Sequence, residues 1–368
     1  MNSRERLLAA LDRRTPDRLP VTTHHLMPSF LTATGGISEL EFFGRFGLDA
    51  IRWVEGQSGE DRLDTAGWRI EQADVPDREY RTTRYRINTP RGTLSTTLQF
   101  DGRTEWVRER LIKEKSDLEL LMRFAPLPSC DVERVNHEAD GFGERGIVRG
   151  AVPGFPIYGQ PGCWQDAAVL FGIEALIFMA CDDPGWVKEL LGFLQGRKLA
   201  WLHSTQGARF DLLELGGGDA SSSVISPKLF DRFVAPFDAP LIAAAHQAGQ
   251  RIVYHTCGGM MPILERIAEM QPDAMETFTP RAMGGDADLG DAKRRVGSQV
   301  CMIGGFDQFH NFVGCTPEET RREVRRCFEQ AGPGGGYILA PADHFFEAEA
   351  GLLKAYADEA VSCLYLRT

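Results

Sequence analysis

The stretch Ile252-Val253-Tyr254-His255-Thr256-Cys257-Gly258-Gly259 decides the fold. A short apolar run bounded by turn residues reads as a buried strand, and its polar residues gather at the C-terminal end. A helical segment over residues 229–248 precedes it and stops at Gly249, a C′ signal, so helix passes directly into strand. The same order recurs. Strand-like runs stand at Ile147-Val148, Leu212-Leu213-Glu214-Leu215, Ala274-Met275, Val300-Cys301-Met302-Ile303 and Tyr337-Ile338-Leu339, with helical segments at 262–270 and, behind Thr316 as N-cap, at 317–330.

Alternation of strand and helix predicts an α/β chain with a parallel sheet. Polar residues follow many different strands. In a closed barrel those positions meet at one face, whereas an open sheet spreads them along a line, so the expectation is a single (β/α)8 TIM barrel spanning 1–368. Upstream, Ser3 is a candidate N-cap for a first helix, Leu19-Pro20-Val21-Thr22-Thr23 reads as a strand, and a short amphipathic helix covers Glu41 to Phe46. Residues 71–113 alternate polar and apolar around Pro90-Arg91-Gly92, as an antiparallel hairpin inserted near the start of the barrel does.

A net charge of −11, with basic residues dispersed as pairs, argues against nucleic acid and anionic membranes as partners. No run approaches the roughly 20 apolar residues of a membrane span, and the first residues do not read as a signal peptide. The 8 cysteines are scattered, unlike a secreted disulfide framework, so the expected location is a reducing cytoplasm with thiols available as ligands.

Period-two spacing directs His255 and Cys257 to one face of the strand end, and imidazole with thiolate suits zinc. Glu276 after the next strand and His344 after the last complete a candidate metal set, with Glu276 as an exchangeable ligand; Asp343 competes with His344, since a one-residue shift in register exchanges their directions. The alternative is a locally bonded His255, a core Cys257 and a Glu276 that caps a helix. Gly216-Gly217-Gly218-Asp219 and Gly304-Gly305-Phe306-Asp307 also follow strands, which makes Asp219 and Asp307 candidate substrate-positioning acids; Asp219 as a cap before the Pro227 helix and Asp307 as a solvated loop acid are the plainer readings. His24 after the first strand, Tyr158 and Trp164 in a Pro/Gly-rich loop, and Gln308 and His310 near Asp307 are candidate substrate contacts.

The order of these segments resembles the uroporphyrinogen decarboxylase superfamily. The resemblance is carried by Asn2-Ser3-Arg4-Glu5-Arg6, Pro16-Asp17-Arg18-Leu19-Pro20-Val21, Ile225-Ser226-Pro227, His255-Thr256-Cys257-Gly258, Gly304-Gly305-Phe306-Asp307 and Gly336-Tyr337-Ile338-Leu339-Ala340-Pro341. It implies a (β/α)8 barrel and two functional branches. The decarboxylases use an arginine-rich N-terminal motif to grip the carboxylates of a tetrapyrrole; the corresponding Leu26-Met27-Pro28-Ser29-Phe30-Leu31 has no arginine. The other branch comprises zinc-dependent methyltransferases that work with corrinoid proteins, whose metal set resembles His-x-Cys plus a late cysteine; here Ala340-Pro341-Ala342-Asp343-His344 offers none.

The resemblance therefore implies a zinc methyltransferase or demethylase acting between a small methylated substrate and a corrinoid protein, with cobalamin on that partner and a homodimer as the family's assembly. Alternatives are a metal-free decarboxylase in which Asp49 or Asp219 polarises the ring, and a non-enzymatic corrinoid or tetrapyrrole carrier.

Overall fold

The computed structural model describes residues 1–58 and 67–365. After β1 (Ala50–Trp53) the chain makes an antiparallel excursion through β2 (Arg69–Val75), β3 (Arg81–Thr89), β4 (Gly92–Phe100) and β5 (Glu105–Glu109). It then returns to the first sheet at β6 (Gly146–Ala151) and continues through β7 (Leu212–Gly216), β8 (Ile252–His255), β9 (Ala274–Thr277), β10 (Cys301–Gly304) and β11 (Tyr337–Ile338). These seven strands are parallel, in the order β1-β6-β7-β8-β9-β10-β11.

Residues 19–22 close the ring. Val21 bridges Leu339 in parallel, the Thr22 amide donates to the Leu339 carbonyl at 2.9 Å, and the Asp49 amide donates to the Val21 carbonyl at 2.7 Å. Pro20 has no N–H to give, so this eighth strand is a short bridge rather than a full ladder. The architecture is TIM-barrel-like. Its strands are buried on both faces, which is why they read as continuous apolar runs.

Asp49, fully buried, fastens the closure strand from the N-terminal end of the barrel. It accepts from Arg6 at 2.6 Å, from Arg18, from Ser3 Oγ and from the Val21 amide. That end lies opposite the strand C-termini, so Asp49 is a structural anchor and not the ring-polarising acid of the decarboxylase alternative.

Local structure departs from the sequence expectations at three places. Asn2, not Ser3, caps the Ser3–Leu11 helix, in a capping box with Glu5 that leaves the Ser3 hydroxyl for Asp49. The helix expected over 229–248 is two helices, Pro227–Phe233 and Ala235–Gln247, because Pro236 can neither donate to the preceding turn nor fit behind it. The excursion is a four-stranded sheet, not a lone hairpin. Thr316 does cap Pro317–Ala331, as expected. No single described helix is long and apolar enough to cross a membrane.

Candidate functional site

The parallel register brings the polar strand ends together: Gly216 stands opposite His255, and His255 opposite Glu276. Gly216 makes this approach possible, with φ +101° and a position where a Cβ would lie 2.4 Å from the His255 carbonyl oxygen. Ligand atoms of His24, Glu214, His255 and Glu276 then lie within 4.8 Å of one another, a group able to hold a metal ion. His255 Nδ1 is 3.0 Å from Glu276 Oε1 and 3.9 Å from Glu214 Oε1. Arg149, buried in β6, bonds both carboxylates through Nη2, to Glu214 at 2.7 Å and to Glu276. The His24 ring stacks between His255 and His344, with centroids 5.3 and 4.7 Å away.

Burial alone would depress the His255 imidazole, but Glu214, Cys257 and Glu276 outweigh it and hold it well above its usual value. Burial likewise works to raise Glu276, and the Arg149 charge with the His255 hydrogen bond reverses this, holding the carboxyl well below its usual range. For His24 burial is opposed only by the Glu276 charge, which His344, His255 and Arg149 in turn counteract. Burial keeps it well below the ordinary histidine value, hence neutral and available as a ligand.

Above this cluster opens a cavity of about 1170 Å³. Five carboxylates line it, those of Glu55, Glu105, Glu214, Asp219 and Asp343, and among the described residues no lysine or arginine does.

Cys257 and His344 line the cavity but lie outside the four-residue cluster: Cys257 is hydrogen-bonded to His255, and the His344 Nδ1–H donates to the His25 carbonyl at 3.3 Å. Glu276 and His255 are in the cluster, and His24 joins it while also lining the cavity. Asp219 faces the cavity, holding Gln165 Nε2 at 3.0 Å, and burial raises its carboxyl. Tyr158 also lines the cavity, anchored by its hydroxyl donating to the Glu105 carbonyl at 2.6 Å.

The others point elsewhere. Trp164 is fully buried against Phe233 and donates to the Asp219 carbonyl, so it supports the loop without facing the cavity. Asp307 caps the Gln308–Asn311 helix and pairs with His310, which borders a different surface depression. Gln308 braces the last loop through Ala342 and His344. Sequence reasoning passed over Arg149 and Glu214; the signal was a charged residue inside a run that must be buried.

The uroporphyrinogen decarboxylase (URO-D) family model matches residues 154–345, just over half of the chain. The chain belongs to that family. A uroporphyrinogen decarboxylase of Neisseria meningitidis serogroup C is 33% identical over 126 residues, 33% of each chain, and one from Shewanella piezotolerans is 25% identical over 198 residues, 52% of this chain and 53% of that one. The matched stretch thus spans only about a third to a half of the length of these curated relatives. Among solved structures, a methyltransferase from Methanosarcina mazei superposes with a TM-score of 0.66 over 98% of both chains at 14% identity, so family member and methyltransferase share a fold.

Proposed function

We propose that this chain is a zinc-dependent methyltransferase or demethylase moving a methyl group between a small methylated substrate and a corrinoid protein. The observation that carries the reading is the buried His24, Glu214, His255, Glu276 cluster at the base of a cavity walled by carboxylates. A tetrapyrrole bearing several carboxylates needs cationic partners, and this wall repels them.

Two imidazoles with carboxylate oxygens are a donor set that zinc accepts at catalytic sites, so the residues fit the metal. Zinc held by His24, His255 and Glu214, with Glu276 as the ligand that yields to substrate, would act as a Lewis acid on the heteroatom next to the methyl group. The chain's own residues do the rest. Asp219, backed by Gln165, orients the polar end of the substrate, and its raised carboxyl can hold a proton there. Tyr158 supplies an aromatic wall, and Cys257 holds His255 in place. Cobalamin would arrive on the partner protein.

The names of the curated relatives favour a second reading, a metal-free decarboxylase. Zinc content of the purified protein and of His255→Ala, measured beside methyl transfer to cob(I)alamin followed by its absorbance, separates the two. Stoichiometric zinc and methyl transfer, both lost in the variant, are expected. A fully active metal-free protein, or decarboxylation of uroporphyrinogen, would overturn the reading.

A further inference from the structure

Arg149 has no part in that chemistry, yet it sits in the middle of the donor set. It is 1% exposed, and a single nitrogen, Nη2, holds Glu214 Oε2 and Glu276 Oε1. Glu276 Oε1 is also the oxygen that faces His255 Nδ1. Arginine usually engages carboxylates through its planar fork, two nitrogens to two oxygens. Here one nitrogen bridges two acids, as a small cation does. Nε of the same guanidinium is buried and has no hydrogen-bond partner among the described residues, so the fork is not fully used. The guanidinium carbon lies 4.6 Å from the centroid of the Trp53 ring, within cation–π range. Trp53 in turn lines the large cavity and also a neighbouring one of about 460 Å³.

We propose that Arg149 is an internal competitor for the metal: its guanidinium neutralises Glu214 and Glu276 until a divalent cation takes one or both from it, and the released side chain leans further onto Trp53. This inference rests on the zinc reading above. Two carboxylates this deep repel one another and carry a large desolvation cost unless a cation lies between them. Arg149 therefore keeps the barrel stable before loading and sets a threshold that the incoming ion must exceed. Because Trp53 belongs to the cavity wall, the exchange also couples loading of the metal to the shape of the substrate pocket.

Zinc titration against a chromophoric chelator compares the intact protein with Arg149→Met, and intrinsic tryptophan emission is followed in the intact protein and in Trp53→Phe. Arg149→Met should bind zinc at least about tenfold more tightly, the effect of removing one competing charge contact. Its melting temperature without zinc should fall, and the rise on adding zinc should exceed that of the intact protein. Zinc should change the emission of the intact protein, and Trp53→Phe should lack that change. Equal or weaker zinc binding by Arg149→Met, with the intact protein still binding zinc, overturns the inference and leaves the metal reading standing. If Arg149→Met fails to fold even with zinc present, an emission spectrum of the intact protein unmoved by stoichiometric zinc overturns it equally. Absence of zinc binding in both proteins overturns the metal reading and this inference together.

Discussion

Asp166→Asn should lower stability by about 3–5 kcal/mol, the usual cost of breaking a buried ion pair from one side. Asp166 accepts from the Phe155 amide at 3.0 Å, the Gln160 amide at 3.1 Å and Lys198 Nζ at 2.8 Å. Lys198 also donates to the Pro153 and Gln160 carbonyls, and the two charged side chains are 2% and 1% exposed. Together they clamp the loop that carries Tyr158 and Gln160 to the cavity wall. Asparagine keeps one acceptor oxygen but removes the charge, leaving a buried ammonium with neutral partners. With 368 residues and about 2.1 cal/mol/K of unfolding entropy per residue, the loss corresponds to a fall in melting temperature of about 4–6 °C. Urea unfolding followed by circular dichroism measures the loss directly. Lys198→Met and the double variant complete a cycle in which the double should be less damaged than the sum of the singles by more than about 1 kcal/mol. A single-variant loss under about 1 kcal/mol, or simple additivity, would refute the clamp.

Gly216→Ala should cost about 2 kcal/mol or more and disorganise the site, since its backbone has φ +101° and its Cβ would strike the His255 carbonyl; an unchanged urea midpoint with unchanged zinc content contradicts this. His255→Ala should lose stoichiometric zinc, whereas Cys257→Ala, outside the four-ligand cluster, should retain it with weaker affinity; elemental analysis of the two variants decides, and equal loss would restore the His-x-Cys set. Burial pushes the Cys301 thiol up to about 12, so the fold favours its neutral form. That contribution is intact below the ordinary thiol value and is lost as pH rises toward 12, at about 1.4 kcal/mol per unit. Stability should therefore fall less steeply between pH 9 and 11 in Cys301→Ala, and parallel profiles would count against it.

The barrel strands were legible because burial on both faces leaves unbroken apolar runs, and Gly249 and Thr316 marked helix ends by their backbone chemistry. His255 and Glu276 were legible because each ends such a run. Arg149 and Glu214 were not. They sit inside runs, and only the closed ring shows that their side chains turn toward the same interior space, across 65 positions of sequence between the two and 127 from Arg149 to Glu276. Both Trp164 and Tyr158 were expected in one loop, but Trp164 lies in the first turn of the Cys163–Phe171 helix that follows the Tyr158 loop, and nothing in their order says which faces the cavity. That is settled by the Asp166 clamp and by Phe233, contributed by another helix. Asp307 looked free because its capping partner, His310, is only a short turn away and reads equally well as a second site residue.

The bridge between Val21 and Leu339 has a consequence for how the molecule is made. His24 follows the closing strand directly, and His344, its stacking neighbour, is held by the His25 carbonyl 319 positions earlier in the chain. On a ribosome, β1 and β6 through β10 can be synthesised and begin to pair while the opening segment still lacks Leu339 as its edge. Contacts of such sequence separation are the slowest to form. The Val21–Leu339 bridge and the stack of His24 on His344 can therefore form only when synthesis has passed the last strand, so the ring closes late, and a chain stalled before Leu339 would carry most of the barrel with its seam open.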